Sequence, residues 1–238
     1  MNQQEQNICH QVSFLRHSGW IGPEELTEPL NIIGCGAVGS NAALLAGKMG
    51  FHKFNLWDAD HVEPHNLSNQ AYDIQHVGQL KVKSLQHVLK RFNPAIEVNT
   101  FNKFFFTEED KKHLCGPLIV ATDSMSSRQD IYDAFYMNTQ ISGVFEVRLG
   151  FDYGECNIID NTNPIQCLSW KDTLVDDSEV PDGPCNLRMC TTLVQLVCSY
   201  AVHSICSRYV AAKQNDIWSY SPKTMFSLTD RLNINSIK

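Results

Sequence analysis

The chain has no run approaching the roughly 18 apolar residues that a membrane-spanning helix needs, so a helical bilayer protein is not expected. It has no surplus of positive charge either: 19 Lys and Arg stand against 26 Asp and Glu, a net charge of −7. Without a basic footprint, duplex nucleic acid is a poor partner. Cys156, Cys167, Cys185 and Cys190 contain no CxxC pair, the spacing that signals a structural zinc site. The first thirty residues lack a charged start and an apolar core, so no secretory signal is expected. Nine cysteines in such a chain read as reduced thiols in a cytoplasm. What the chain does have is 238 residues, 43% of them hydrophobic, enough for one large α/β domain or one domain with an appended lobe.

One stretch, residues 30 to 83, organises the rest. Leu30-Asn31-Ile32-Ile33 suits a buried parallel strand. Gly34, Gly36 and Gly39 follow at GxGxxG spacing, and a helix of small residues opens behind them. The first glycine allows a tight turn, the second lets backbone approach a phosphate, and the third lets helix pack closely on strand. Phosphate then sits against the positive helix N-terminus. A second strand, Lys53 to Trp57, ends at Asp58 and Asp60, where a carboxylate takes ribose hydroxyls.

Beyond Asp60 come Asn66 and Gln70 in an Asn-Leu-Ser-Asn-Gln segment, then Lys81 in a VGxxK segment, then Asp123 at a strand end. With Asp58 and Asp60, this series is similar to the ThiF/MoeB/HesA family, whose fold is shared with the ubiquitin-activating enzymes. The resemblance runs from about Leu30 to Gly150 and thins afterwards. It implies a Rossmann-like, doubly wound, mainly parallel sheet with an antiparallel extension and a C-terminal helix. A plain nicotinamide dehydrogenase, which GxGxxG alone would allow, has no counterpart of Asn66, Gln70 and Lys81.

The remaining sequence is taken in order. Residues 1–29 read as an N-terminal arm, 30–160 as the nucleotide-binding core, and 161–238 as a loop, a long helix and a terminal strand. Asn41 to Met49 reads as the glycine-loop helix. Ile74 to Phe92 reads as a second helix, with Val77, Leu80, Leu85, Val88 and Leu89 forming a stripe. Asn93-Pro94 ends it. Ala95 to Phe101 and Leu118 to Thr122 read as strands. Asp123 then either holds Mg²⁺ through one carboxylate or caps the helix that starts near Ser126. Arg128 falls where the family has an arginine, and a structural salt bridge is the alternative. Ile141 to Leu149 and Tyr153 to Ile159 read as two more strands, and Arg148 faces the pocket in that frame. Thr162 to Pro184, rich in Asp, Asn and Pro, reads as a long surface loop. Thr191 to Ala212 reads as a long core or interface helix, and Trp218 to Leu228 as a last strand.

Cys185 precedes the long helix, and a helix N-terminus lowers a thiol pKa. Activating enzymes pass an acyl group to a cysteine after the adenylation core, and Pro184-Cys185 resembles that context. A buried apolar cysteine is the alternative use. The resemblance implies ATP and Mg²⁺ over the glycine loop, Asp60 on the ribose and Lys81 on the phosphates. Its partner would be a ubiquitin-like or small carrier protein, or a peptide, with a free carboxyl terminus. The enzyme would be a homodimer, in which the N-terminal segment, here bearing Arg16, reaches the neighbouring subunit's nucleotide; a solvated arginine on a mobile arm is the alternative reading of Arg16.

The chain departs from the family at one point. Asn69 stands where the family segment has arginine, and by analogy with arginine fingers its loss costs on the order of 10³-fold in rate. Either Arg148, Arg128 or Arg16 of the partner subunit substitutes, or the chain binds nucleotide as a scaffold or regulatory partner without turning it over.

Overall fold

Apolar runs that cannot face water set the centre of the molecule. A computed structural model describes residues 12–150, 152–179, 190–227 and 232–237. Leu30–Ile33 forms β1, buried at every position, between two parallel neighbours, β2 (Lys53–Trp57) and β4 (Gly116–Val120). In parallel again, β3 (Glu97–Phe101) extends the sheet past β2 and β5 (Ile141–Leu149) past β4. The strands β6 (Tyr153–Ile159), β7 (Lys223–Ser227) and β8 (Asn233–Ile237) then add antiparallel. The order across the sheet is β3-β2-β1-β4-β5-β6-β7-β8. The chain walks outward from β1 to β3, then returns to β4 on the far side of β1. That reversal opens a crevice at the carboxyl ends of β1 and β4, where open α/β sheets take ligands.

The helices are α1 (Ala37–Met49), α2 (Lys81–Phe92), α3 (Thr107–Asp110), α4 (Met125–Phe135), α5 (Pro164–Lys171) and α6 (Thr191–Lys213). Because successive strand residues point to opposite faces, Ile32, Leu56 and Phe145 meet α1, α2 and α6 on one side. Ile33, Trp57 and Val144 meet α4 and α5 on the other. Each such buried side chain stabilises the fold by about 2 kcal/mol. Covered on both faces, the sheet is the doubly wound α/β fold that the sequence implies. Among the described residues no helix is long and apolar enough to cross a membrane.

A polar ladder runs through this apolar sheet. Asn99 donates to Asn55 (2.9 Å), and Asn55 donates to Asn31 (2.9 Å). Asn31 in turn donates to the carbonyls of Cys115 (2.6 Å) and Pro117 (3.1 Å). The buried amides of Asn55 and Asn31 are thus satisfied, which offsets the cost of desolvating them.

Three expectations are corrected. The helix expected from Ile74 starts at Lys81, and Ile74–His76 is a separate 3₁₀ turn. Gly78 interrupts it with φ +83°, a left-handed conformation that α-helix does not contain. Within the expected loop from Thr162, Pro164–Lys171 is helical. Asn163 accepts from the N–H groups of Ile165 and Gln166, Pro164 takes the first helical position, and Cys167 and Trp170 are buried. The tail carries two strands rather than one, because the exposed Asn233–Ile237 pairs with β7.

Candidate functional site

The glycine loop joins β1 to α1, and its three glycines do different work. Gly34 has φ +93°, and a Cβ there would stand 2.5 Å from the Ala121 carbonyl. A Cβ on Gly39 would overlap the Gly34 carbonyl. Gly36, with φ −77°, faces open space, so its missing side chain matters only to something arriving from outside. Among the described residues no side chain caps α1, and its first turn has no acidic residue. The first N–H groups of a helix have no partner within it, so this end offers donors and positive potential to an anion.

Asp58 braces the loop. It accepts from the Cys35 N–H (2.7 Å) and the Asp60 N–H (2.8 Å). Burial pushes its carboxyl above the usual range, against the pull of the Lys81 charge. Lys81, buried at the first position of α2, pairs with the exposed Asp60 at 2.8 Å. Its own N–H donates to the Asp60 carbonyl (2.9 Å). Burial works to lower the Lys81 pKa, but the bond to Asp60 and the charges of Asp58, Asp60 and Asp123 outweigh it, so its pKa is raised. The ammonium is therefore charged at neutral pH and gathered with three carboxylates. Tyr72 ties this corner together, donating to the Cys35 carbonyl (2.7 Å) and lying 3.3 Å from that of Lys81.

Asp123 follows β4 and is exposed. The helix cap is Ser124, which accepts from the Ser127 N–H (3.2 Å), so Asp123 is not the cap. Two buried oxygens, Gln70 Oε1 and Thr122 Oγ1, have no hydrogen-bond partner among the described residues. Asn66 shapes the 3₁₀ turn Pro64–Ser68 by accepting from the Glu63 N–H (2.9 Å). The Asn69 carbonyl accepts from Asn41 of α1 (2.8 Å).

Arg128 and Arg148 meet at Glu146 rather than at the glycine loop. Both Nε atoms donate to Glu146 Oε1, at 2.7 and 2.8 Å. Glu146 is fully buried, and its other oxygen takes Asn157 (2.7 Å) and Trp170 (3.2 Å). Arg148 spends its terminal nitrogens on Thr173. Arg16 is exposed on the N-terminal arm. Cys185 lies outside the described residues.

Sequence reasoning missed Cys190, the residue preceding α6, which is exposed and within 2.9 Å of the Thr192 hydroxyl. That hydroxyl, then the Leu193 and Thr192 N–H groups, hold its thiol below the usual range. The expected helix start at Thr191 already pointed to position 190. Next to it, Thr191 donates to the Ser68 carbonyl (2.8 Å) and Gln195 to Asn41 of α1 (2.7 Å), which docks α6 on the Asn66–Gln70 turn and on α1.

The site suits a triphosphate nucleotide: an uncapped helix end, an open glycine and a cationic lysine. Among the described residues no group of three or more His, Cys, Asp or Glu could hold a metal. Mg²⁺ fits only as an ion shared between one carboxylate, Asp123, and the oxygens of the ligand.

The chain is similar to several known proteins. Ubiquitin-like modifier-activating enzyme 5 of Gallus gallus is 30% identical over 82 residues, covering 34% of this chain and 21% of that protein. The adenylyltransferase and sulfurtransferase MOCS3 of Anopheles gambiae is 33% identical over 107 residues, covering 43% and 24%. The matches thus reach only about a quarter of those relatives' length. The crystal structure of E. coli MccB with ATP superposes with a TM-score of 0.67 at 14% identity, over 90% of this chain and 64% of that one. The model of the ThiF family matches residues 28–236, from just before β1 into β8. This chain belongs to the ThiF family.

Proposed function

We propose that the chain uses ATP to adenylate the carboxyl terminus of a ubiquitin-like or small carrier protein, or of a peptide. One observation carries the reading: charged Lys81 gathers with Asp58, Asp60 and Asp123 beside the uncapped end of α1. The names of the relatives, an activating enzyme and an adenylyltransferase, and the ATP in MccB support it.

In this reading the N–H groups of α1 and the Lys81 ammonium hold the phosphates, and Asp60 accepts from the ribose. Gln70 and Thr122 offer their unused oxygens to the nucleotide. Asp58 holds the loop, while Arg128 and Arg148 hold the wall formed by β5 and α4. Mg²⁺, bound through Asp123, would neutralise phosphate charge. The substrate carboxylate attacks the α-phosphorus, the bond to the bridging oxygen breaks, and pyrophosphate leaves. Alignment and charge stabilisation do the work, without covalent participation by the protein. In a later, separate step the Cys185 thiolate is a proposed acceptor: it attacks the acyl carbonyl, a thioester forms, the acyl–phosphate bond breaks and AMP leaves. The protein acts as a homodimer in the cytoplasm.

A second reading rests on the arginines. Asn69 replaces the family residue, and Arg128 and Arg148 are both committed to Glu146. Unless Arg16 of the partner subunit enters the site, the chain binds nucleotide and serves another activating subunit. Exchange of radiolabelled pyrophosphate into ATP, with Mg²⁺ and small proteins ending in Gly-Gly, separates the two. Exchange that needs both the carboxyl terminus and Asp123 supports adenylation. ATP binding without exchange across such a panel supports the second reading.

A further inference from the structure

Residues 173–179 run beside Asp123, fixed at two points. Arg148 donates to the Thr173 hydroxyl (2.8 Å) and carbonyl (3.3 Å). Four residues on, Asp177 accepts from the Met125 N–H (2.6 Å) and the Ser126 N–H (3.3 Å) through its two carboxylate oxygens. With Ser124 taking the Ser127 N–H, each of the first three donors of α4 is satisfied. A carboxylate at this end also complements the helix dipole. Asp123 lies between this clamped helix and β4, where the Ala121 N–H donates to the Ile33 carbonyl of β1 (2.9 Å).

We infer that Asp177 is a positioning residue for the proposed adenylation: by clamping the amino end of α4 it fixes Asp123 where ligand-bound Mg²⁺ is met. The inference rests on the metal role given to Asp123 above. A cap made by a residue 52 positions away fixes where the helix begins in space, which a cap from within the helix cannot do.

The test uses the full chain as wild type, Asp177→Ala, Asp177→Asn and Asp123→Ala. Hydrogen exchange in the free protein is read at the Met125 and Ser126 amides, and binding of a fluorescent ATP analogue is titrated with Mg²⁺. Asp177→Ala should speed exchange at both amides about tenfold, the cost of a lost cap. It should also raise the Mg²⁺ concentration for half-maximal binding about tenfold, by misplacing a metal-binding group. Metal-free binding should stay unchanged, with Asp177→Asn intermediate. Faster amide exchange with unaltered Mg²⁺ dependence makes Asp177 a structural cap only and overturns the inference. Unaltered exchange overturns it at the first step. If Asp123→Ala also keeps the wild-type Mg²⁺ dependence, the metal role of Asp123 fails, and the inference with it. If only Asp123→Ala loses that dependence, the inference alone fails.

Discussion

Two helices begin at the same edge of the sheet, and their amino ends are treated in opposite ways. Among the described residues, the end of α1 carries no side-chain cap, no acidic residue in its first turn and a glycine that faces open space. The end of α4 is filled, by Asp177 on Met125 and Ser126 and by Ser124 on Ser127. A helix end attracts anions only while its donors are free. The difference teaches where a phosphate is steered. At α1 the protein leaves the place to a ligand, whereas at α4 it supplies its own carboxylate. The cations follow the same division, since Lys81 lies by α1 while Arg128 and Arg148 are bound to Glu146 near α4.

The hardest break of this comparison is at the loop itself. Gly39→Ala places a methyl group against the Gly34 carbonyl and should destabilise the fold by about 3 kcal/mol, as overpacking does, measured by urea unfolding. Next, Lys81→Met removes the charge while keeping much of the volume. ATP affinity should fall roughly 30-fold, about 2 kcal/mol, in the range of a charge-assisted hydrogen bond, read by calorimetry. Gly36→Ala sharpens the contrast within the loop, because none of the described residues lies within 4 Å of the added carbon. Stability should change by less than about 0.5 kcal/mol while ATP binding weakens about tenfold. Equal effects of Gly36→Ala and Gly39→Ala on folding would remove the distinction between packing and ligand glycines.

The smallest effect concerns a third helix end, that of α6, whose N-terminal side is occupied by a thiol. The lowered pKa of Cys190 means that its thiolate persists to lower pH than in an ordinary cysteine. Its alkylation by iodoacetamide should therefore rise at lower pH than that of a free thiol. Mass spectrometry after brief labelling at pH 7 should find it modified well ahead of Cys198 and Cys206, whose thiols burial pushes up to about 12. Equal labelling would show that the helix end does not act on the sulfur.

Some of this was legible in the sequence, and the reasons differ by element. The strands β1, β2, β5 and β6 were plain because buried strands between helices must be apolar. Asp58, Asp60, Lys81 and Asp123 stood out through the family resemblance, and each lies at a strand end or helix start at one sheet edge. The start of α2 was misplaced because Val77 and Leu80 continue its apolar stripe through Gly78, whose φ only the backbone reveals. The helix α5 was hidden because Asn163 and Pro164 signal a helix beginning as readily as a break. β8 is exposed along its whole length, so it carries no burial pattern to detect. A structural salt bridge was one of the two readings of Arg128, but its partner was not legible, since Arg128 and Glu146 are 18 residues apart and meet only once α4 packs on the sheet.

The most direct test of the account is where ATP lands. Hydrogen exchange with and without Mg²⁺-ATP should show protection of the Ala37, Val38 and Gly39 amides at the start of α1, with the Met125, Ser126 and Ser127 amides unchanged. New protection confined to the start of α4, or none at α1 under saturating ATP, would contradict it.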